Sequence, residues 1–413
     1  MAILRPFKAL RPQKDRAAQV SAVPYDVVST PEARQLAAGN PLSFLHVSRA
    51  EIDLPEGTDP YSAEVYKEAS RNFESLKRDQ VLVVEDAPRL YLYRLRMGDH
   101  EQTGIAACCS IQEYDSDLIR RHERTRKDKE DDRTRHMITL GAQTGPVFLT
   151  YRGRDEIDAI VTTAKNTQPL YDFVAPDNVQ HTVWRLSTDL ADSLTRMFGN
   201  VPLLYIADGH HRAASASRAA RQLGAQAPPG AAPAEFEYFL AVIFPADQLQ
   251  ILAYNRVVKG LNGLDPDAFL KATGERFIVN QDAAPEPPAK GQISMYLGAR
   301  WYSLVARDSQ NALQPTDPIS SLDVSVLEKS LLDPILGIKD VRTDKRIDFV
   351  GGIRGSKALE RIVDDGRATV AFSMYPVSLD ELMAIADTGQ IMPPKSTWFE
   401  PKLRDGLLIH LLQ

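Results

Sequence analysis

The residues of this sequence best suited to chemistry sit where an apolar run, Leu203-Leu204-Tyr205-Ile206-Ala207, gives way to Asp208-Gly209-His210-His211-Arg212. The pattern predicts a strand ending at Ala207, a tight turn at Asp208-Gly209 and a helix opening with the two histidines. A helix start carries backbone N–H groups without intrahelical partners and a partial positive charge, so it suits an anion. Gly209 has no side chain to obstruct a ligand's approach. Arg212 can grip two phosphate oxygens, and His210 or His211 can donate to a third. Asp208 could hold a magnesium ion or accept a proton. The plainer account of the same residues is a capped Asp-Gly turn with solvated histidines.

A second concentration spans residues 118–136. Residues 120–135 hold eight basic and five acidic side chains. On a helix Arg120 and Arg124 share a face, as do Glu123 and Lys127, so a salt-bridged surface helix is the simple explanation. His122 beside Glu123 adds proton-transfer groups among cations, with Arg126 nearby, and Glu123 is a candidate base for a hydroxyl. A third group, Lys395-Ser396-Thr397, follows two prolines and precedes Lys402 and Arg404. It is suited to a charged ligand and equally to a surface loop. Asp26, in Val23-Pro24-Tyr25-Asp26-Val27-Val28, could face a ligand or cap a turn. His46, His181 and His410 lie among apolar neighbours and read as packed histidines. Gly351-Gly352-Ile353-Arg354-Gly355-Ser356-Lys357 is not a P-loop, because Ser and Lys are transposed and the first spacing fails.

Positioning these groups requires a mixed chain. Strand-like pieces are expected near 21–28 and 43–47, a helix over 60–78, and a hairpin turning at Gly98-Asp99. A polar helix should run from about Asp115 to His136. From Pro146 strands and helices alternate: strand 147–151, helix 155–165, strand 181–186, helix 189–198, strand 203–207, helix 212–223. A loop is expected over 224–234, then strands 239–244 and 249–254 and a helix at 265–273. Helices at 323–332 and 379–386 and strands at 369–373 and 407–412 complete the pattern. The expected class is α+β with a mixed sheet. The expected regions are 1–145 with the charged helix, 146–260 with the Asp-Gly-His-His-Arg turn, and 261–413 closing the site.

Composition narrows the function. The chain has 413 residues, 43% hydrophobic and 25% charged, which excludes wholesale disorder. A net charge of -6 argues against general affinity for nucleic acid. No run is long and apolar enough for a membrane span, and Arg5 and Lys8 stand where a leader would need apolar residues, so the expected location is cytoplasmic. The two cysteines, Cys108 and Cys109, are adjacent, which excludes a disulfide framework and a thiolate zinc site.

Ala207-Asp208-Gly209-His210-His211-Arg212, the Arg121-His122-Glu123-Arg124-Thr125 block with Lys129-Glu130-Asp131-Asp132-Arg133, Asn255-Arg256-Val257-Val258-Lys259 and Met392-Pro393-Pro394-Lys395-Ser396-Thr397 together resemble the DUF1015 family. The turn itself is similar to the motif of the ParB/sulfiredoxin-like superfamily, in which such a turn holds nucleotide phosphates and which includes free-serine kinases. A ParB/sulfiredoxin-like central region within a larger mixed-sheet architecture is the implied fold. Sulfiredoxins carry a cysteine in the turn, where this chain has His210, and ParB proteins carry a helix-turn-helix and a basic surface that this sequence lacks. The resemblance therefore implies a phosphotransferase acting on the hydroxyl of a small amino acid, free L-serine above all. Mg2+ and ATP, ADP or pyrophosphate would be its cofactors, with neither nucleic acid nor membrane as partner. Its expected catalytic residues are Glu123, His122 and Asp208. Gly209, His210, His211, Arg212, Arg120, Arg124 and Arg126 would hold phosphates. Lys395, Ser396, Thr397 and Asp26 would contact the acceptor, and the metal ligand is unassigned beyond Asp208. A nucleotide- or phosphometabolite-binding regulator and a phosphoserine phosphatase are the alternatives, and homo-oligomerisation stays open.

Overall fold

The computed structural model describes residues 2–226, 234–307 and 317–413, which form two compact units. Most of the loop expected over 224–234 lies outside the described residues. The fold is α+β, with one mixed sheet, antiparallel sheets and helices throughout. Among the described residues no helix is long and apolar enough to cross a membrane.

The first unit comprises residues up to Arg121, Thr125–Leu249 and Pro401–Gln413. Its main sheet has eight strands, in the order Ile119–Arg120, Leu204–Asp208, Val147–Tyr151, Tyr238–Pro245, His100–Ser110, Tyr91–Met97, Gln180–Arg185 and Tyr171–Val174. The expected hairpin is its centre, Tyr93 facing Gly104. Two pairings are parallel, Leu204–Asp208 with Ile119–Arg120 and Val147–Tyr151 with Tyr238–Pro245. Its central strands are near-continuously buried (Val147–Tyr151 throughout), as expected where a sheet is covered on both faces. Leu149, Ile206, Ala241, Ile243, Leu194 and Phe198 meet in its core. Cys108 and Cys109 are free thiols inside it, their pKa values pushed up by burial.

A smaller sheet, ordered Leu82–Val84, Ala9–Pro12, Ile409–Leu411, Ala142–Gln143, joins both ends of the chain. The helix Ala63–Arg78 buries Val65, Ala69 and Phe73 at the four-residue spacing read from the sequence. Residues 43–47 are not a strand: Leu45–Ser48 is a short helix, and residues 21–28 contribute only the isolated bridge of Ala22 to Asp405. The charged segment also differs from expectation. The helix there is Lys127–Leu140, while Ile119–Arg120 is extended and pairs with Leu204 and Tyr205. Ile119 is the apolar residue the sheet can bury, and Asp117 takes a left-handed φ of 57° just before it, which breaks the helix. Arg120 and Arg124 therefore do not share a helical face.

The second unit, His122–Arg124 and Gln250–Glu400, contains a six-stranded sheet. Its order is Phe277–Gln281, Arg300–Ala306, Gln292–Leu297, Val370–Ser373, Tyr254–Val258, Ile347–Gly351, all antiparallel. The helices Pro266–Arg276 and Leu379–Asp387 lie where the pattern placed them. The expected strand 249–254 is instead split. Gln250–Leu252 pairs with Trp398–Glu400, and Tyr254–Val258 enters the six-stranded sheet. At the rejected P-loop sequence, a Cβ on Gly351 would lie 2.9 Å from the Trp398 ring and one on Gly352 would lie 2.6 Å from Ala253 O. Those glycines serve close packing.

Candidate functional site

The strand Leu204–Asp208 ends in Gly209, whose φ of 95° turns the chain into the helix His210–Gly224. Ala213 N bonds to Gly209 O at 3.0 Å, so the amides before it lie in the helix's first turn and point away from its ladder. A Cβ at Gly209 would lie 3.3 Å from Arg212 Cζ and Nε and 3.4 Å from Val147 Cα. Glycine thus meets two demands at once, a left-handed backbone and clearance over the Arg212 side chain.

Arg212 is buried and donates through Nη1 to Pro146 O. Its Nη2 lies 3.9 Å from both Asp208 Oδ2 and Asp26 Oδ2. Its Nε has no hydrogen-bond partner among the described residues, an unmet demand that costs about 1–3 kcal/mol when buried. Asp208 accepts from Gly209 N at 2.8 Å and from Lys402 Nζ at 3.0 Å. Burial raises the Asp208 pKa, but Lys402 and Arg212 outweigh it and hold the carboxyl well below the usual carboxylate range. Burial likewise lowers the Arg212 pKa, and Asp26 and Asp208 more than compensate, so Arg212 stays charged.

Beneath the turn lies a second acid. Asp405 is pushed up to about 7, by burial first and by Asp26, against the opposing pull of Arg212 and Arg133. It is fixed through the Ala22 bridge, Ala22 N donating to Asp405 O at 3.1 Å and Asp405 N to Ala22 O at 2.9 Å. A gap of about 20 Å3 separates Tyr25, Arg133, His136, Thr144, Arg212 and Asp405, room for about one water molecule.

The expected phosphate ligands fall in different places. Arg120 is one strand from the turn, opposite Tyr205, with a buried Nε that lacks a partner among the described residues. Arg126 N donates to His211 Nε2 at 3.0 Å, while its guanidinium reaches Asp128 at 2.7 Å. His122, Glu123 and Arg124 belong to the second unit. There His122 O accepts from Met392 N at 2.9 Å, and His122 Nε2 lies 3.4 Å from Thr397 Oγ1. The 122–124 and 391–397 segments are thus held together. Lys395 takes a φ of 57°, and its carbonyl accepts from Arg256 at 3.1 Å. Ser396 Oγ donates to Pro393 O at 2.6 Å.

His181 and His410 are packed histidines, whereas His46 is only half-buried and pairs with an acid. His46 bonds Asp53 at 2.8 Å, His181 lies between Tyr93 Oη and Arg404, and His410 bonds Glu235 at 2.9 Å. Sequence reasoning passed over Lys402 as a site residue and did not notice Asp405, Tyr25 or Arg133. Lys402 was visible two residues beyond Glu400, but nothing local shows that the last thirteen residues join the first unit. The neighbour of Asp26, Tyr25, was equally open to notice, since Arg133 stacks on its ring at 4.1 Å.

The molecule is an α+β protein whose first unit presents a strand–glycine–helix turn flanked by Arg212 and Lys402. Residues 4–325 match the family described as "Protein of unknown function (DUF1015)", and the chain belongs to that family. No curated protein matches it. Among solved structures it is similar to a free serine kinase in complex with AMP, at 13% identity over 73% of this chain and 91% of the other, with a TM-score of 0.36. It is also similar to a conserved hypothetical protein from Pyrococcus furiosus, at 16% identity over 75% and 95% of the two chains, TM-score 0.35. A third is the C-terminally truncated SbnI from Staphylococcus aureus, at 12% identity over 74% and 87%, TM-score 0.39.

Proposed function

We propose that this protein is a phosphotransferase that phosphorylates the hydroxyl of a small amino acid, free L-serine above all, from ATP, ADP or pyrophosphate. One observation carries the reading. At the turn a buried Arg212 Nε lacks a partner, directly under the space that a Gly209 Cβ would fill, beside Lys402 and the first amides of a helix. A phosphate there would satisfy the guanidinium and take up charge-assisted bonds from Lys402 and the amides. Phosphoryl transfer depends mainly on positioning and charge neutralisation, which such an arrangement supplies.

In this reading Gly209, His210, His211 and Arg212 hold the donor, with Arg120 adding charge from the neighbouring strand. Asp208 is a weak base, because its proton affinity is depressed, and its part is to orient Lys402 and Arg212. Both Asp208 oxygens already accept from Gly209 or Lys402, so Asp208 itself does not fit as a metal ligand. Mg2+ bound to the donor's phosphates would supply neutralising charge.

The test is to incubate the folded protein with L-serine, Mg2+ and each donor in turn, and to follow O-phosphoserine by mass spectrometry. Formation with one donor supports the assignment, and no product with any of them overturns it. Release of phosphate from phosphoserine without an acceptor nucleotide would replace it with the phosphatase reading.

A further inference from the structure

Three acids and two bases surround the turn at Gly209. Asp26 and Asp208 lie 3.9 Å from Arg212 Nη2, Asp208 takes Lys402 at 3.0 Å, and Asp405 shares a gap of about 20 Å3 with Arg212 beneath the turn. With every acid ionised, the set carries one negative charge too many. An anion drawn to Arg212 and Lys402 meets that surplus in a largely buried place, where like charges are screened least.

The three acids differ in how well they hold a charge. Asp208 is bonded to Lys402 and to Gly209 N, and Asp26 reaches water. Asp405 is 3% exposed, has no cation within 4.0 Å among the described residues, and lies so close to Gly145 that a Cβ there would collide with it. The groups packed against it do little to neutralise it. On the helix Lys127–Leu140, Arg133 is matched by Asp132 at 2.8 Å, and His136 has its pKa lowered to about 4 by burial, so it is uncharged at neutral pH. Burial raises the Tyr25 pKa and keeps its phenol neutral. Thr144, Gly145 and Met137, which line the same gap, carry no charge. On its own segment Arg404 pairs with Asp177, and Lys402 with Asp208. Arg212 is the cation left facing it, and Arg212 is shared with Asp26 and Asp208. Burial first, then Asp26, pushes the Asp405 carboxyl up to about 7 against Arg212 and Arg133.

We infer that the turn takes up its anion together with a proton from solvent, and that Asp405 is the group that holds the proton. A neutral Asp405 leaves Arg212 and Lys402 balanced by Asp26 and Asp208, and the surplus that opposes the anion is gone. This rests on the reading of the turn as a phosphate site and names the regulation of that site. The sign follows from linkage. Above about pH 7 the free protein has Asp405 ionised and the complex has it protonated, so affinity falls as pH rises and levels off at lower pH, where both forms are protonated.

Titration calorimetry with sulfate tests it, because sulfate is an oxyanion that does not itself titrate in the neutral range. Repeating the titration in buffers of different ionisation heat gives the number of protons taken up per anion bound. Wild type at about pH 7.5 should take up about half a proton, and its sulfate affinity should fall about threefold per pH unit between about pH 7 and 8. Asp405→Asn should lose that uptake and that slope, while any share from His210 or His211 is common to both proteins and cancels in the difference. Infrared difference spectra of wild type need no variant: adding sulfate should increase the C=O band of a protonated carboxylic acid, which no histidine produces. Equal uptake in the two proteins, or no gain of that band, overturns the inference. The two proposals fail separately. Sulfate binding without proton uptake removes the link and leaves the phosphate turn. Proton-linked sulfate binding without phosphoserine from any donor keeps the link and removes the transferase. No binding of sulfate or pyrophosphate removes both.

Discussion

Replacing Asp405 by asparagine should remove a pH dependence that the fold builds in. Asp405 is buried with Arg212, Arg133 and Asp26 around it, and its carboxyl is raised from 3.8 to about 7, by burial first. Between those values the native state holds a proton that the unfolded chain has released, so stability falls as pH rises. The stabilising contribution is complete below about pH 4 and is lost through about pH 7. A displacement of that size corresponds to about 4 kcal/mol, with a slope of up to about 1.4 kcal/mol per pH unit. Asparagine keeps the shape and cannot ionise. The stability of Asp405→Asn relative to wild type should therefore climb by about 2–3 kcal/mol from pH 5 to pH 7 and flatten above pH 8. Other titrating groups, Asp208 among them, act in both proteins and cancel in the difference. The assay is urea denaturation of the two proteins, with midpoints and slopes measured across that range. A flat difference would mean that Arg212 and Arg133 keep Asp405 ionised throughout, and a falling one would invert the electrostatics; either refutes the reasoning.

Gly209→Ala places a side chain on a left-handed backbone and against Arg212. It should cost about 1–2 kcal/mol in denaturation, and calorimetry should show weaker binding of ADP or pyrophosphate. Gly145→Ala would put a Cβ 2.9 Å from Asp405 Cγ and closer still to Oδ1, in a buried charge cluster. A loss of about 1–3 kcal/mol is expected from thermal or urea unfolding, and wild-type stability would show that Asp405 can move aside. Lys402→Met removes the cation bonded to Asp208 at 3.0 Å. One charge-assisted bond to a phosphate is worth about 1.5–3 kcal/mol, so donor affinity should drop about tenfold or more, with L-serine binding unaffected. Equal donor affinity would place the phosphate elsewhere.

What local pattern can carry was readable from the residues. The period of apolar positions placed the hairpin at Gly98-Asp99, the helix ending at Arg78 and the strand–turn–helix around Gly209, because each is set by neighbours within a few residues. The same reasoning failed over 115–126, where charge hides any periodicity and the conformation is decided by a strand more than eighty residues away. It also passed over the six-stranded sheet's strands at 277–281, 292–297, 300–306 and 347–351, which alternate weakly and gain their order from pairing with one another. The residues around the turn divide in the same way. Asp208, Gly209 and Arg212 lie within five positions and announce themselves. Asp26, Lys402 and Asp405 reach the turn from opposite ends of the chain, through the Ala22–Asp405 bridge and the return of the last thirteen residues. Only tertiary packing could bring those charges into one low-dielectric place. The depressed acid at 208 and the raised one at 405 follow from that burial and from their neighbours, neither of which is a property of the linear sequence.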